Sequence, residues 1–390
     1  MAGDIMTPET ATRGFPDSEF TARTRGAQAR MAARGLDGLL LMTAPEVQYF
    51  TGFQTLFWQS PTRPWFVFIP ASGKPIAIIP EIGANLMRRT WVADIRTWPA
   101  PRPSDDGISL LTEVLSACAK VGIMKGHETQ LRMPLGDWER LRQALPAVGF
   151  TDATDLVQAL RMVKSEAEIE KLGAICAIGS ATFAQVPQFA HEGAPLDEVF
   201  RAFRREALTQ GADDAPYVVG ASAQGGYRDV ISPPDGTPLA VGDILMLDTG
   251  LVQDGYYCDF DRNWAVGHAT DPAQRAYDVL WRATEAGIVA ARPGNSARDL
   301  FVAMSKVIAE MDDSGGDIGR LGHGLGLQLT EQPSLAAFDT TELKENMVIT
   351  LEPSLSYGAG LMMVHEENIV VTGQGGRLLS TRAAPELPVI

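Results

Sequence analysis

Five residues in the C-terminal half of the chain are of types whose side chains can bind divalent metal ions, and each lies in its own short, patterned segment. They are Asp248 in LMLDTG, Asp259 in YYCDFDR, His323 in GHGLGL, Glu352 in ITLEPS and Glu366 in MVHEEN. Four carboxylates and one imidazole form a ligand set for two adjacent cations, and because one histidine cannot serve two metals, two carboxylates would bridge them. Hard oxygen ligands suit Mn²⁺, Fe²⁺ or Co²⁺, with Zn²⁺ tolerated. The chain must therefore adopt a fold in which five distant segments converge.

The sequence around each of these residues predicts how it reaches such a site. Asp248 follows the apolar run ILML, and Asp259 comes after the turn signal QDG, so a hairpin would bring both carboxylates to one end of a sheet. His323 is flanked by glycines, which let the backbone approach a ligand closely. Glu352 and Glu366 lie in or beside apolar strands, where a carboxylate is costly unless it is paired or bound to metal. Each residue alone is better explained as a turn, cap or structural residue, but the set of five indicates a metal site.

Composition excludes several functional classes. The net charge of −15 argues against nucleic acid, whose phosphates require a basic surface. The three cysteines (Cys118, Cys176 and Cys258) are far apart and unpaired in sequence, which is typical of a reducing compartment. No apolar run approaches the length of a bilayer span, and the first 20 residues are polar, without the apolar core of a signal peptide. These features predict a cytoplasmic protein that binds neither nucleic acid nor membranes.

The length of 390 residues predicts two domains, because a single hydrophobic core does not usually grow to that size. In the N-terminal half, helical segments alternate with apolar strands, which predicts an α/β domain. The elements expected there are a helix at 17–35, a strand at 36–43, a hairpin formed by 64–70 and 74–80, and a helix at 106–122 followed by a strand near 123–126.

The domain boundary is predicted within the helical stretch 152–185, which is interrupted near Lys164 and Ser165. Ser165 and Glu168 have the spacing of a capping box, which marks a new helix start. We place one domain at residues 1–155 and the other at 156–390. In the second domain, strand-rich segments alternate with helices expected at about 195–209, 271–291 and 296–312.

The five segments, and the spacings of 11, 64, 29 and 14 residues between their metal-binding side chains, resemble the "pita-bread" metallopeptidases of family M24. That family includes prolidase, aminopeptidase P, methionine aminopeptidase and the metal-free creatinase. ARMAARGLDGLLLMTAPEVQYFTGF is similar to the start of the creatinase-type N-terminal domain, and LRMVKSEAEIEKL resembles the entry to the catalytic domain. The resemblance implies a two-domain α/β protein: a creatinase-like N-terminal α/β domain and a C-terminal α+β pita-bread catalytic domain.

The resemblance also implies roles for the five residues. Asp248 would bind one metal ion, His323 and Glu352 the other, and Asp259 and Glu366 would bridge them. The implied enzyme is a hydrolase of the Xaa-Pro dipeptidase type, in which a metal-bridging hydroxide attacks an amide bond and Glu352 carries the proton. Two Mn²⁺ ions and a homodimer are expected from the same resemblance.

Three positions depart from the peptidase pattern. The pattern has a histidine about 17 residues before the first aspartate, where this chain has Val230 and Ile231. It has a second histidine where this chain has Thr330, and an arginine two residues before the last glutamate where this chain has Val364. Candidate substrate contacts are therefore Tyr227, Thr330, His365 and Asp261. Asp261 stands where peptidases have threonine, and would either orient a metal ligand or pair with a base such as Arg262. His365 would face away from Glu366 in a regular strand, which favours a structural role over a substrate contact.

Three functions follow from these observations. The first is a prolidase-type hydrolase acting on a dipeptide. The second is a non-peptidase member of the family, acting on a small molecule as an amidinohydrolase, a cyclic-osmolyte hydrolase or a lyase, because the accessory histidines of peptidases are absent. The third is a binding module that has lost catalysis, which the five intact ligand residues disfavour.

Overall fold

The computed structural model describes residues 13–60, 63–311, 319–358 and 360–390. These residues form two compact units that divide between Arg161 and Met162. The boundary predicted between residues 155 and 156 falls inside a helix, and the domain limits stay a proposal. Residues 1–12 and residue 312 of the helix predicted at 296–312 lie outside the described residues. Within the described ranges, no helix has both the length and the apolar character needed to cross a membrane.

The N-terminal unit alternates helices with strands. Its helices are α1 (Asp17–Arg34), α2 (Ala44–Thr51), α3 (Ala84–Met87), α4 (Ile108–Leu115), α5 (Leu135–Ala144) and α6 (Thr154–Met162), and its strands are β1 (Gly38–Leu41), β2 (Phe66–Pro70), β3 (Ile76–Pro80), β4 (Asp94–Trp98), β5 (Lys120–Ile123) and β6 (Gly149–Asp152). The strands form one mixed sheet in the order β4-β3-β2-β1-β5-β6. The pairs β1–β2 and β2–β3 are antiparallel, and the other three are parallel. The predicted α/β class and the predicted hairpin are confirmed.

The helix predicted over residues 106–122 is wrong in its second half. Helix α4 ends at Leu115, and strand β5 begins at Lys120. The Asp37 carboxylate accepts hydrogen bonds from the backbone N–H groups of Ala119 (2.7 Å) and Lys120 (2.8 Å), which aligns β5 beside β1. This contact joins residues more than 80 positions apart, so the local sequence pattern did not reveal it.

The C-terminal unit combines four helices with eleven strands in its described residues. The helices are α7 (Glu166–Gln185), α8 (Leu196–Gln210), α9 (Asp271–Ala290) and α10 (Ala297–Ile308), and the strands are β7 (Asp214–Gln224), β8 (Asp243–Gln253), β9 (Tyr256–Tyr257), β10 (Phe260–Ala265), β11 (Arg320–Gly324), β12 (Glu331–Ala336), β13 (Val348–Leu351), β14 (Ser354–Tyr357), β15 (Leu361–Val364), β16 (Glu367–Thr372) and β17 (Gly375–Leu378). The Ser165–Glu168 capping box is present and begins α7, as predicted.

The strands of this unit form three sheets. One has the order β10-β8-β7 with β9 on β8, another has the order β12-β11-β13-β16-β17, and β14 pairs with β15. This arrangement of mainly antiparallel sheets and separate helices confirms the predicted α+β class.

Strand β8 separates an apolar core from the face that carries the candidate site. Leu245 and Leu247 pack with residues of α7 and α8, whereas Met246 belongs to the core on the other side. Because side chains alternate along a strand, Asp248 faces the same side as Met246. Cys258 lies in the core with Leu245 and Leu247, so it faces away from the adjacent carboxylate, as the alternation predicts.

Candidate metal centre

Two of the five predicted ligands come from the pairing of β8 with β10. The strands are antiparallel, and Asp248 lies directly opposite Asp261. Asp259 immediately precedes β10, and Thr249 of β8 pairs with Phe260. The predicted convergence of two distant carboxylates at one end of a sheet is therefore present, with β9 forming part of the connection.

The other three ligands come from the five-stranded sheet. His323 on β11 pairs with Thr350 on β13. Glu352 directly follows β13, and Glu366 directly precedes β16. Leu351 pairs with Glu367 in the antiparallel β13–β16 ladder. The next residue after Leu351 and the residue before Glu367, which are Glu352 and Glu366, therefore lie side by side at the same end of the sheet.

All five side chains meet around one cavity. Oxygens of Asp248, Asp259 and Glu366 lie within 4.8 Å of one another. His323 Nε2 lies 3.3 Å from Asp259 Oδ2 and 3.6 Å from Glu352 Oε2. The five residues line a cavity of about 270 Å³. The assignment of each residue as a metal ligand stays a prediction, but their convergence is a property of the fold.

The His323 ring is oriented by its own neighbour. Its Nδ1 lies 2.9 Å from the Gly324 carbonyl oxygen, and because a carbonyl only accepts, Nδ1 carries the proton. The lone pair of Nε2 therefore points toward the carboxylates, as in a neutral metal-binding imidazole. Burial, with the positive charge of Arg320, lowers the pKa of His323 to about 4 and keeps it neutral.

The glycines around His323 serve strand packing. Gly322 has a φ of 143°, and a Cβ there would collide with the Thr350 carbonyl oxygen on β13. A Cβ at Gly324 would collide with the carbonyl oxygen of Gln332 on β12. The glycines thus let both neighbouring strands approach β11 closely, whereas the sequence suggested that they make room for a ligand.

Burial raises the pKa of the carboxyl groups in this cluster. The pKa of Asp248 rises to about 6 and that of Glu352 to about 7, mainly through desolvation. Desolvation and the neighbouring negative charges raise the pKa of Asp259 and Glu366 well above their usual range. Asp248 Oδ1 and Glu366 Oε2 are buried, and neither has a hydrogen-bond partner. Buried, unpartnered carboxylate oxygens are unfavourable unless a cation neutralises them, so these residues fit a divalent metal centre.

Asp261 lies in the cavity wall and supports the cluster. Its Oδ1 accepts a hydrogen bond from the Glu366 backbone N–H (2.6 Å), and its Oδ2 accepts one from Asn263 Nδ2 (2.7 Å). The side chain of Arg262 instead donates to the carbonyl oxygen of Glu366 (2.9 Å) and to the carboxylate of Glu367 (3.1 Å). Of the two roles predicted for Asp261, the structure therefore favours orientation of a neighbouring ligand.

Two of the predicted substrate contacts do not reach the cavity. Tyr227 is fully buried, donating to Asn263 Oδ1 (3.0 Å) and accepting from the Val364 N–H (2.8 Å). His365 is also buried, and its Nδ1 lies 3.1 Å from Thr284 Oγ1. This burial agrees with the structural role favoured for His365 and indicates a supporting role for Tyr227, and a contact of either with substrate stays a prediction. Thr330 does line the cavity, and its contact with substrate stays a prediction.

The replacement Asp261→Ala is expected to lower the free energy of unfolding by about 2–3 kcal/mol, because it leaves two buried donors without acceptors. It should also weaken metal binding by about 10-fold to 100-fold, since Glu366 loses its orientation. Chemical denaturation and metal titration measure these effects. Asp278→Ala, at the surface beside Arg282, is the control. Unchanged metal affinity in Asp261→Ala would contradict this role.

Sequence reasoning missed three polar residues of the cavity, Tyr217, Arg320 and Ser354. Tyr217 lies on the neighbouring strand β7, and burial together with the negative charge of Asp248 raises the pKa of its phenol. Arg320 Nε lies 3.6 Å from Glu352 Oε1. Regular alternation would put Arg320 and His323 on opposite faces, but the β11–β12 register shifts between them, and both line the cavity. The remaining wall is largely apolar and includes Val230, Met246, Leu329, Met362 and Val364.

Comparison with known proteins yields matches over nearly the whole chain. The family description "Metallopeptidase family M24" matches residues 170–373, and "Creatinase/Prolidase N-terminal domain" matches residues 23–163. The "Probable dipeptidase PepE" of Mycobacterium tuberculosis is 27% identical over 97% of this chain and 99% of its own length. The "Xaa-Pro dipeptidase" of Pyrococcus horikoshii is 24% identical over 90% of this chain and 94% of its own length.

Solved structures show the same similarity. The crystal structure of dipeptidase PepE from Mycobacterium ulcerans superposes with a TM-score of 0.83 at 26% identity, covering 96% of this chain and 99% of the other. The prolidase from Pyrococcus horikoshii gives a TM-score of 0.80 at 22% identity, covering 93% and 99%, and at that identity it supports the fold alone.

Proposed function

Because the chain belongs to metallopeptidase family M24 and is thus a metal-dependent hydrolase, we propose that it is a dipeptidase of the Xaa-Pro type with two divalent cations. The observation that carries this proposal is the convergence of five ligand groups with buried, unpartnered oxygens on one cavity. The relatives named as dipeptidases and Xaa-Pro dipeptidases support the substrate class.

The geometry supports a division of the ligands between two metal ions. Asp259 and Glu366 would bridge, since Asp259 lies close both to the Asp248 side of the cluster and to His323. Asp248 would bind one ion, and His323 and Glu352 the other. When bound, two such ions polarise the scissile carbonyl and lower the pKa of water toward neutrality. We propose Mn²⁺, with Fe²⁺, Co²⁺ or Zn²⁺ as substitutes, because the donors are mostly hard oxygens.

Glu352 is the proposed proton carrier. Its side chain is 19% exposed, whereas that of Asp259 is 6% exposed, so Glu352 faces the open part of the cavity. A carboxylate there can accept a proton from the attacking water and deliver it to the leaving nitrogen. Val230, Leu329 and Met362 provide apolar surface that can hold a proline ring and exclude water.

The alternatives are not supported to the same degree. The non-peptidase interpretation rested on missing histidines, and the cavity does contain Val230 and Thr330 near those positions, with Val364 at the position of the missing arginine. The relatives, however, are named as dipeptidases and Xaa-Pro dipeptidases, which does not favour it. Membership of a hydrolase family disfavours the binding module. A homodimer and a cytoplasmic location are proposed from the family resemblance and from the separated cysteines.

The test compares chelated and Mn²⁺-reloaded protein on Ala-Pro, Met-Pro, Ala-Ala and Ala-Pro-Ala. We expect two metal ions per chain, hydrolysis of the Xaa-Pro dipeptides, and loss of activity on chelation that Mn²⁺ restores. Metal content is measured by mass spectrometry and hydrolysis by release of proline. Protein that holds two metal ions and cleaves none of the dipeptides would overturn the proposed function.

A further inference from the structure

The cavity wall contains one strong cation that neither the sequence nor the proposed mechanism uses. Among the described residues that line the cavity, Arg320 is the single lysine or arginine, beside five carboxylates. Its side chain is 35% exposed, and its Nε lies 3.6 Å from Glu352 Oε1. An arginine at the first residue of β11 therefore presents positive charge to a ligand in an otherwise acidic and apolar cavity.

The surroundings of Arg320 favour an anionic ligand group. The four ligand carboxylates would neutralise two divalent cations, so the negative charge of a substrate carboxylate requires a further cation outside the ligand set. Val364, which also lines the cavity, is apolar and cannot supply it. A guanidinium binds a carboxylate through paired N–H donors, which fixes the orientation of the bound group as well as its charge.

The position of Arg320 beside Glu352 identifies which part of a substrate it meets. In an amino-acid leaving group, the nitrogen and the carboxyl carbon are separated by the two bonds N–Cα and Cα–C, a distance of about 2.5 Å. Glu352 is proposed to deliver its proton to that nitrogen. A carboxylate anchor must consequently lie next to the proton carrier, and Arg320 is the cavity residue of suitable charge that does so.

We infer that Arg320 binds the α-carboxylate of the leaving amino acid, an assignment that rests on the proposed function. The substrate class is then a dipeptide, or another N-acyl amino acid, with a free carboxylate on the residue released. Peptide amides and longer peptides place a neutral carbonyl at that point and lose the interaction with Arg320. Arg320 is in this way a specificity residue, separate from the five proposed ligands.

The experiment compares wild type, Arg320→Gln, Arg320→Lys and the control Arg377→Gln, which removes an exposed arginine from β17. Each Mn²⁺-loaded protein is assayed on Ala-Pro and on Ala-Pro amide. Arg320→Gln should lower kcat/KM for Ala-Pro by about 100-fold, mostly through KM, because a charge-assisted contact is lost. Its effect on the amide should stay within about 3-fold. Arg320→Lys should recover part of the loss, and the control should match wild type.

Binding of the product gives a readout independent of turnover. L-Proline should bind wild type more tightly than L-prolinamide in calorimetric titration, and Arg320→Gln should remove this difference. A role of Arg320 in positioning Glu352 alone would lower kcat equally on both substrates and leave proline binding unchanged, which would overturn the inference while the proposed function stands. Wild type that holds its metals and cleaves neither substrate would overturn the proposed function, and this inference with it.

Discussion

Replacement of Asp259 or Glu366 by alanine is expected to abolish binding of two metal ions and to lower kcat/KM by about 10⁴-fold or more, since the loss of a bridging ligand removes the centre that activates water. Asp259 Oδ2 lies 3.3 Å from His323 Nε2. Asp259 also belongs to the cluster of carboxylates that it forms with Asp248 and Glu366. A change at either residue therefore affects both proposed metal positions. Metal content per chain and steady-state kinetics measure the effect.

The same variants distinguish a metal site from a structural cluster of acids. Glu366 Oε2 is buried without a hydrogen-bond partner, and negative neighbours surround it. Removing it relieves repulsion in the metal-free protein, so we expect the metal-free Glu366→Ala variant to unfold at the same temperature as metal-free wild type or above it. Glu345→Ala, in the exposed loop before β13, is the control. A two-metal stoichiometry in either variant would refute the bridging assignment.

Glu352→Gln is expected to lower kcat by about 10³-fold, because the amide cannot accept and release the proton. KM should change little, since the substituted side chain has nearly the same shape. Glu352 Oε2 lies 3.6 Å from His323 Nε2. Of the two carboxylates near His323, Glu352 is more exposed than Asp259, so Glu352 can reach the leaving nitrogen. The measurement is kcat on Ala-Pro at saturating Mn²⁺.

Metal loss must be separated from proton transfer in this variant. Two metal ions bound to Glu352→Gln, together with the low kcat, would assign the loss to the proton step. Glu342→Gln, an exposed carboxylate before β13, is the matched control. Turnover of Glu352→Gln within about 3-fold of wild type would remove Glu352 as the proton carrier.

Local sequence patterns anticipated much of this architecture. The turn signal QDG and the apolar run before Asp248 predicted paired strands, and β8 and β10 are antiparallel. The Ser165–Glu168 spacing predicted the start of α7. These predictions succeed because the interactions that form them join residues close in the chain, or repeat with the period of the element itself.

Interactions between distant segments limited the predictions elsewhere. The Asp37 carboxylate binds the backbone N–H groups of Ala119 and Lys120 at the start of β5, where the local pattern predicted a helix. Tyr227, a predicted substrate contact, is enclosed by hydrogen bonds to Asn263 and Val364 from two other strands. Arg320 lines the cavity together with His323 because the register of β11 and β12 shifts between the two residues. A regular strand would place their side chains on opposite faces, so the sequence pattern did not predict this position.

The sequence alone determined the residue types, since four carboxylates and one imidazole in patterned segments specify hard donors for metal ions whatever the fold. It also determined the local elements that carry them, because turns and alternation are properties of neighbouring residues. Only the tertiary structure decided which polar side chains are exposed to the cavity and which are enclosed. Exposure depends on how strands from distant parts of the chain pair and shift, and that pairing places Arg320 in the cavity and Tyr227 and His365 outside it.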